Sequence, residues 1–232
     1  MRRLGVIGGI GPESTIAYYQ ALLAIAAELG TDGNPPILID SLDVRRLLRL
    51  MSAGRLTEVE DYLVAEIEVL ARGGAALAII AANTPHIVFD QVSARSPIPL
   101  LSIVEAARDE ARTVGLKRVG LLGTRFTMQA RFYTDVLANA AIDTVVPTPE
   151  EQGWVHDCYV NELLSSILTA PSRERMLELI ATMKERDRTD GILLAGTELP
   201  LLLPMREASG IPLLDTTQIH ARAAATAAWA SS

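Results

Sequence analysis

The sequence predicts an α/β protein of two pseudosymmetric lobes, each a mostly parallel sheet flanked by helices. Three observations support this prediction. Short apolar runs alternate with longer amphipathic segments, which is typical of parallel strands that are buried on both faces and joined by helices. The first half of the chain recurs in the second half. The composition, 49% apolar and 21% charged over 232 residues, is ordinary for one or two folded domains.

The internal repeat consists of three segments that recur in the same order and at a nearly constant offset. The matching pairs are 3–9 with 118–124, 78–84 with 192–198, and 98–101 with 211–214, the last an unchanged Ile-Pro-Leu-Leu. Ordered matches of this kind indicate two similar structural units.

In the first half, each short apolar run is predicted as a strand and each longer segment as a helix. The segment 55–73 shows apolar residues at helical spacing. The predicted strands are 3–8, 36–41, 76–81 and 99–102. The predicted helices are 13–29, 55–73, 85–93 and 103–114.

The second half follows the same pattern. Its predicted strands are 118–123, 143–147, 190–195 and 212–215, and its predicted helices are 127–140, 153–168, 172–187 and 216–230. Because the last helix follows Asp215, we expect it to pack back on the first lobe. The N-terminal lobe is then discontinuous, with residues 1–102 and 216–232, and the C-terminal lobe covers 103–215.

Composition and charge exclude several classes of protein. A single cysteine, Cys158, forms no internal disulfide and no cysteine cluster for zinc or iron–sulfur. The net charge of −7 argues against nucleic acid as a partner. Three scattered histidines lack metal-ligand spacing, so no metal site is predicted. No long uncharged apolar run indicates a membrane span, and the cytoplasm is the expected compartment.

A glycine-rich turn follows the first predicted strand. Gly9 and Gly11 precede a helix that begins near Pro12, so the backbone amides could cradle a carboxylate or phosphate. A tight turn without a ligand is the alternative. The glycine spacing does not match a dinucleotide-binding fingerprint, and no nucleotide cofactor is predicted.

Further polar residues follow other predicted strands, where ligands of parallel sheets bind. Asn83, Thr84 and His86 follow the third strand, with Thr84 expected to be extended because a proline follows it. Thr197 and Glu198 occupy the equivalent place in the second half.

Two more groups of residues complete this set. Thr124 and Thr127 supply hydroxyls near Arg125, and one of these hydroxyls is expected to cap the next helix. Arg45 and Arg46 are expected on the loop after the second strand, where they could bind an acidic side chain of a substrate. The alternative is that they stand at the start of a solvated helix. Arg125 is a second candidate for binding the acidic side chain.

These motifs together resemble the aspartate/glutamate racemase family along essentially the whole chain. The resemblance rests on four motifs: Gly-Gly-x-Gly-Pro-x-x-Thr from Gly8, Asn-Thr-x-His from Asn83, Leu-Leu-Gly-Thr-x-x-Thr-Met from Leu121, and Thr-Glu-Leu from Thr197. It implies two pseudosymmetric α/β lobes with the active site between them, no cofactor, a small carboxylate substrate and often a homodimer. Family racemases carry one cysteine on each side of the substrate α-carbon, and these two thiols exchange its proton.

The sequence departs from the family at both cysteines. Ala82 stands before Asn-Thr and Gly196 before Thr-Glu, at the positions of the two thiols. Neither side chain ionises, so the two-thiol mechanism does not carry over. Glu198 and His86 are the remaining candidates for moving protons. Cys158 lies in a predicted helix and is interpreted as a small buried residue.

Three functions stay open at this stage. The chain is a racemase that acts on a small acidic amino acid without thiols, or an enzyme that performs another carbanion or enolate reaction on a small carboxylate, such as decarboxylation, elimination or cyclisation. The third alternative is a homologue that binds a small acid without turnover.

Overall fold

A computed structural model describes residues 1–230 and divides the chain into two compact units. Unit 1 contains residues 1–103 and 220–230, and unit 2 contains Val104–Ile219. Within the described residues, no helix is long and apolar enough to cross a membrane.

Unit 1 contains a four-stranded parallel sheet with the order β2-β1-β3-β4. Leu4 in the central strand β1 lies opposite Ile37 on one side and Leu77 on the other. The strands are β1 (Leu4–Gly8), β2 (Ile37–Ser41), β3 (Leu77–Ile80) and β4 (Leu100–Leu101). The helices are α1 (Pro12–Glu28), α2 (Val44–Ser52), α3 (Leu56–Arg72), a 3-10 helix (Thr84–Val88) and α4 (Phe89–Arg95).

Unit 2 contains a five-stranded sheet with the order β6-β5-β7-β9-β8, in which only β8 is antiparallel to its neighbour. Its strands are β5 (Arg118–Gly123), β6 (Asp143–Val145), β7 (Gly191–Ala195), β8 (Glu207–Ala208) and β9 (Ile211–Asp215). Helix α5 (Ile103–Val114) begins at Ile103 of unit 1 and continues into unit 2. The other helices of unit 2 are α6 (Arg125–Gln129), α7 (Phe132–Ala138), α8 (Pro149–Asn161), a 3-10 helix (Leu163–Ser165), α9 (Ala170–Asp187) and α10 (Leu199–Leu202). The last helix, α11 (Thr216–Trp229), begins in unit 2 and continues into unit 1.

The core of unit 1 lies on both faces of its sheet. Residues of α2, α3 and α4, such as Leu47 and Leu63, pack in one apolar cluster. Tyr18 and Leu22 of α1 pack in the other cluster with the alanines of α11 and Trp229. The indole nitrogen of Trp229 donates a hydrogen bond to the carbonyl of Arg2 (3.0 Å). The alanine-rich end of the chain therefore packs on its own unit.

All eight predicted strands are present, and most helices begin and end within a few residues of their predicted bounds. Helix α2 is absent from the predicted helices, although the start of a solvated helix was one of the two positions expected for Arg45 and Arg46. Asp43 caps it by accepting from the amides of Arg45 and Arg46, and its three buried apolar residues are interspersed with arginines that obscure the pattern. The short antiparallel strand β8 was also missed.

Three predicted helices differ in detail from the observed ones. The predicted helix 127–140 is two helices, because Ala130 is extended between them. The predicted helix 85–93 begins as a 3-10 helix. The predicted helix 153–168 begins at Pro149 instead, because the Thr148 hydroxyl and the Glu151 carboxylate form a capping box. Thr-Pro-Glu-Glu at 148–151 is a sequence signal for this start.

The turn after β1 requires glycine at position 9. Gly9 has a φ of +78°, and a Cβ atom there would lie 2.5 Å from the carbonyl oxygen and 2.6 Å from the amide nitrogen of Leu42. Both contacts are with backbone, which cannot move aside easily. Gly30 has a similar φ of +67°, but a Cβ there would meet nothing within 4 Å.

We expect Gly9→Ala to reduce the free energy of unfolding by about 3 kcal/mol, because the alanine would have an unfavourable positive φ and its Cβ would also clash with the Leu42 backbone. Gly30→Ala, which has the φ penalty alone, is expected to cost about 1 kcal/mol. Urea unfolding of the two variants measures the difference. Equal losses of unfolding free energy in the two variants would show that the clash with the Leu42 backbone does not contribute.

Candidate functional site

In both units, the polar residues predicted for the site follow the carboxyl ends of adjacent strands. In unit 1 the strands β2, β1 and β3 are neighbours, so the turns that follow them adjoin at one edge. In unit 2 the same holds for β5, β7 and β9. The two edges are the candidate site regions.

At the edge of unit 1, the predicted anion cradle is partly used by the protein itself. The amide of Gly9 donates to the hydroxyl of Thr15 (2.8 Å), so this amide is not available to a ligand. Ser14 donates to the carbonyl of Ala81 (2.6 Å), which ties α1 to the end of β3. Gly11 precedes α1 without a side-chain cap, and a Cβ there would meet nothing within 4 Å. Of the two glycines, only Gly11 borders open space at the helix start.

Arg45 and Arg46 lie on the first turn of α2, not on a loop, and both are exposed. The guanidinium of Arg46 lies over the ring of Tyr62, with 4.1 Å from Cζ to the ring centroid. The structure therefore matches the helix-start alternative for their position. Their role toward a substrate stays a prediction.

Asn83 is buried directly after β3, and Thr84 is half-buried. The expectation that Thr84 is extended was wrong, because it is the first residue of the 3-10 helix. The amide of His86 donates to the carbonyl of Asn83 (3.0 Å), and this bond closes the turn.

His86 is held by hydrogen bonds at both ring nitrogens, which argues against the proton-moving role predicted for it. Nδ1 donates to the carbonyl of Ala82 (2.9 Å), and Nε2 accepts from the amide of Ile103 at the start of α5 (3.2 Å). This assignment of the ring proton follows from the two partners. Burial, with a smaller effect of nearby His220, lowers the pKa of His86 to about 3. We interpret His86 as a neutral residue that joins β3 to α5.

His220 is a second buried neutral histidine in unit 1. The hydroxyl of Tyr18 donates to its Nδ1 (2.8 Å), and its Nε2 donates to the carbonyl of Leu101 (3.0 Å). Burial lowers the pKa of His220 to about 4. The ring centroids of His86 and His220 are 6.0 Å apart, and the two ring planes are nearly perpendicular.

The buried histidine pair predicts a loss of stability in mild acid. The unfolded chain takes up protons at histidine below a pH of about 6.5, whereas the folded protein resists protonation until the pH approaches 4. We therefore expect the Tm to fall as the pH drops from 7 to 4.5, and to fall less in His220→Gln. Partly exposed His156 supplies the control, since His156→Gln is expected to keep most of the acid sensitivity. An unchanged pH dependence in His220→Gln would contradict this account.

At the edge of unit 2, Thr124 caps α6 as expected. Its hydroxyl accepts from the amide of Thr127 (3.3 Å) and lies 3.2 Å from the Thr127 hydroxyl. Thr127 is fully buried, whereas Arg125 is exposed, and the amide of Arg125 donates to Nδ1 of His156 (3.4 Å). Only Thr124 and Arg125 of these three residues are accessible to a ligand.

Glu198 lies between β7 and α10 and is 5% exposed. Its Oε2 atom accepts hydrogen bonds from the hydroxyls of Thr197 (2.7 Å) and Tyr159. Among the described residues, no hydrogen-bond donor reaches its other oxygen, Oε1. Glu198 is thus a buried carboxyl with one oxygen held in place.

Tyr159 is a site residue that the sequence did not indicate. It lies on α8, is buried, and contacts Glu198 across 39 residues of chain. Burial, followed by the charge of Glu198, raises the pKa of Tyr159 well above its usual value. The phenol therefore stays protonated and donates its hydrogen bond.

The absence of a side chain at Gly196 makes room for Tyr159. A Cβ atom at Gly196 would lie 2.5 Å from Cε2 and 2.9 Å from the hydroxyl oxygen of Tyr159. The only sequence signal for Tyr159 was the glycine before Thr-Glu, because a position without a side chain leaves space that a neighbouring residue can fill. Sequence does not identify that neighbour.

Two further findings bear on the chemistry. Cys158 is buried next to Tyr159 in the chain, and burial raises the pKa of its thiol, which disfavours the reactive thiolate. Within residues 1–230, no group of three or more His, Cys, Asp and Glu side chains is placed to hold a metal ion.

Comparison with solved structures identifies the fold. A candidate Asp/Glu racemase from Yersinia pestis is 33% identical, with a TM-score of 0.90 over 98% of this chain and 99% of that chain. An aspartate racemase homologue from Pyrococcus horikoshii OT3 is 32% identical, with a TM-score of 0.84 over 98% and 99% of the two chains. The predicted fold class, with two mostly parallel sheets flanked by helices, is confirmed.

Sequence comparisons agree with these structures. The profile of the Asp/Glu/Hydantoin racemase family matches residues 7–224. A broad specificity amino-acid racemase from Bacillus subtilis (strain 168) is 24% identical over 228 residues, which cover 94% of this chain and 95% of that protein.

Proposed function

Because this chain belongs to the Asp/Glu/hydantoin racemase family, we propose that it transfers a proton at the α-carbon of a small acidic amino acid without a thiol. The observation that carries the proposal is the buried carboxyl of Glu198, which follows the central strand β7 and has one oxygen that no hydrogen-bond donor among residues 1–230 reaches. No cofactor enters the proposed reaction.

Glu198 has the properties of a general base. A carboxylate that is shielded from water and held in one orientation is suited to accept a proton from carbon. Hydrogen bonds from Thr197 and Tyr159 limit the rotation of the carboxylate. The B. subtilis relative is named as an amino-acid racemase of broad specificity, which supports an amino acid as the substrate class.

The carbanion that forms when the proton leaves requires stabilisation of its negative charge. We propose the accessible polar groups at the strand ends for this purpose and for binding the substrate carboxylates. They are Gly11, Thr84 and Thr124, with Arg45, Arg46 and Arg125 for an acidic side chain. Thr197 was predicted for the same purpose, but its one hydroxyl proton is donated to Glu198, so we assign it to holding that carboxyl. Gly9 and Thr127 are assigned to shaping the turns, because the amide of Gly9 is occupied and Thr127 is fully buried. Asn83 is as little exposed as Glu198 and stays a candidate for binding the substrate.

A second candidate function follows from the asymmetry between the two units. The repeat equivalent of Gly196-Thr197-Glu198 is Ala82-Asn83-Thr84, which carries no titratable side chain, and both ring nitrogens of His86 are occupied. A single proton carrier suits a one-sided reaction on a small carboxylate, such as a decarboxylation, an elimination or a cyclisation.

The test of the proposed function is proton NMR of the purified protein in D2O with L- and D-aspartate, L- and D-glutamate and close analogues. We expect loss of the Cα proton signal for at least one of them. Glu198→Gln is expected to slow this exchange by about 100-fold or more. Glu207→Gln changes an exposed glutamate of the same unit and is expected to leave the rate unchanged.

The outcomes of this experiment separate the candidates. Exchange with inversion of the α-carbon supports racemisation, and exchange or product formation without inversion supports a one-sided reaction. Exchange that survives in Glu198→Gln would refute the role of this carboxyl. Stabilisation of the protein by one of the acids without any turnover would refute both functions and indicate a binding protein.

A further inference from the structure

We infer that Tyr159 is a positioning residue for Glu198: the ring of Tyr159 fills the space beside Gly196, and its hydroxyl, with that of Thr197, fixes Oε2 so that Oε1 is the oxygen that exchanges the proton. The assignment of the proton to Oε1 rests on the proposed function. The packing of Tyr159 does not, and it is testable without a substrate.

The ring of Tyr159 occupies the space that a side chain at position 196 would need. Atoms at the far end of the Tyr159 ring lie 2.5 Å and 2.9 Å from the place where a Cβ of residue 196 would be. Real Cβ atoms essentially never approach other heavy atoms as closely as 2.5 Å. Any side chain at position 196 would therefore displace the tyrosine ring. Gly196 and Tyr159 are two parts of one arrangement.

Both hydroxyls beside Glu198 donate their protons to the same carboxylate oxygen. The phenol of Tyr159 is buried beside a carboxyl and remains protonated, so it donates to Oε2. The Thr197 hydroxyl donates to the same oxygen at 2.7 Å. Two donors on one carboxylate oxygen saturate that oxygen.

The two oxygens of Glu198 have different roles in proton exchange. Because Oε2 already accepts two hydrogen bonds, a proton that arrives at Glu198 binds to Oε1. The bond between Cα and its hydrogen breaks, an O–H bond forms at Oε1, and the electron pair stays on the substrate as a carbanion. The return step reverses these changes. Glu198 acts as base and then as acid, while Tyr159 keeps its own proton.

The kinetic test uses Tyr159→Phe, which keeps the ring beside Gly196 and removes only the hydroxyl. With a substrate that exchanges in the wild type, we expect kcat for Cα exchange to fall about 10-fold to 100-fold, because the carboxylate is less well oriented. KM is expected to stay within about twofold, since the tyrosine acts on the base and not on binding. Thr197→Val removes the second donor and is expected to lower kcat in the same way.

Tyr133→Phe is the matched control. Tyr133 is another fully buried tyrosine of unit 2, and it lies outside the Glu198 cluster. This variant is expected to lose some stability and to keep the wild-type kcat. A wild-type kcat in Tyr159→Phe, or an equal fall in Tyr133→Phe, would overturn the positioning role while the proposed function stands.

The substrate-free test is a double-mutant cycle read by Tm. Gly196→Ala is expected to lower the Tm by several degrees in the wild type and by less than half as much in a Tyr159→Leu background, because the ring that the new methyl group meets is absent. Gly153→Ala is the control, since a Cβ at Gly153 of α8 meets nothing within 4 Å. It is expected to cost little in either background.

Additive effects of Gly196→Ala and Tyr159→Leu would overturn the packing and with it the inference. If the wild type exchanges no substrate, the proposed function and the assignment of the proton to Oε1 fall together, and the cycle still decides whether Tyr159 holds the space beside Gly196. Failure of the inference and failure of the proposed function therefore give different results.

Discussion

Complete burial of the central strands is the constraint on which the rest of this structure depends. Every residue of β1 and of β7 is buried, because helices cover both faces of each sheet. Side chains within these strands must therefore be apolar or absent, and polar chemistry is confined to the residues that follow them. The short segments Gly9–Gly11, Ala82–His86, Thr124–Thr127 and Gly196–Glu198 are the places where the fold allows polar groups to approach a ligand.

The two repeats carry chemically different residues at these strand ends. After β3, the imidazole of His86 links the carbonyl of Ala82 to the first amide of α5, so its hydrogen-bonding capacity serves the fold. After β7, Glu198 has a buried carboxyl in which one oxygen is held and the other is not. Sequence similarity between the halves thus coexists with a clear chemical asymmetry. The proposed one-sided reaction needs only one proton carrier. Racemisation by two bases would need a second proton-carrying group in addition to Glu198.

Membership of the racemase family is established by the profile match and by two structures above 30% identity. At Gly196 the structure gives a physical reason for the small residue, since the Tyr159 ring occupies the space that a side chain would need. Ala82 is buried and offers no ionisable group. Gly196 is therefore packed against a neighbour that contacts the carboxylate of Glu198.

Much of the fold was predictable because its determinants are local. Strand positions follow from apolar runs, and the long helix α3 from its spacing of apolar residues. Helix α2 and the start of α8 were misjudged, although Asp43 and the Thr148–Glu151 box were visible as capping signals. The break between α6 and α7 at Ala130 has no glycine or proline to indicate it.

The sequence by itself determined the α/β class, the repeat, the family resemblance and the strand ends that polar residues follow. Each of these depends only on the order and spacing of residues along the chain. Tertiary structure decided which of those residues are chemically available. His86 and Glu198 are equally plausible proton carriers as letters in a sequence. Only contacts with Ile103, and with Tyr159 across 39 residues, separate them, because hydrogen-bond occupancy and burial are properties of neighbours in space.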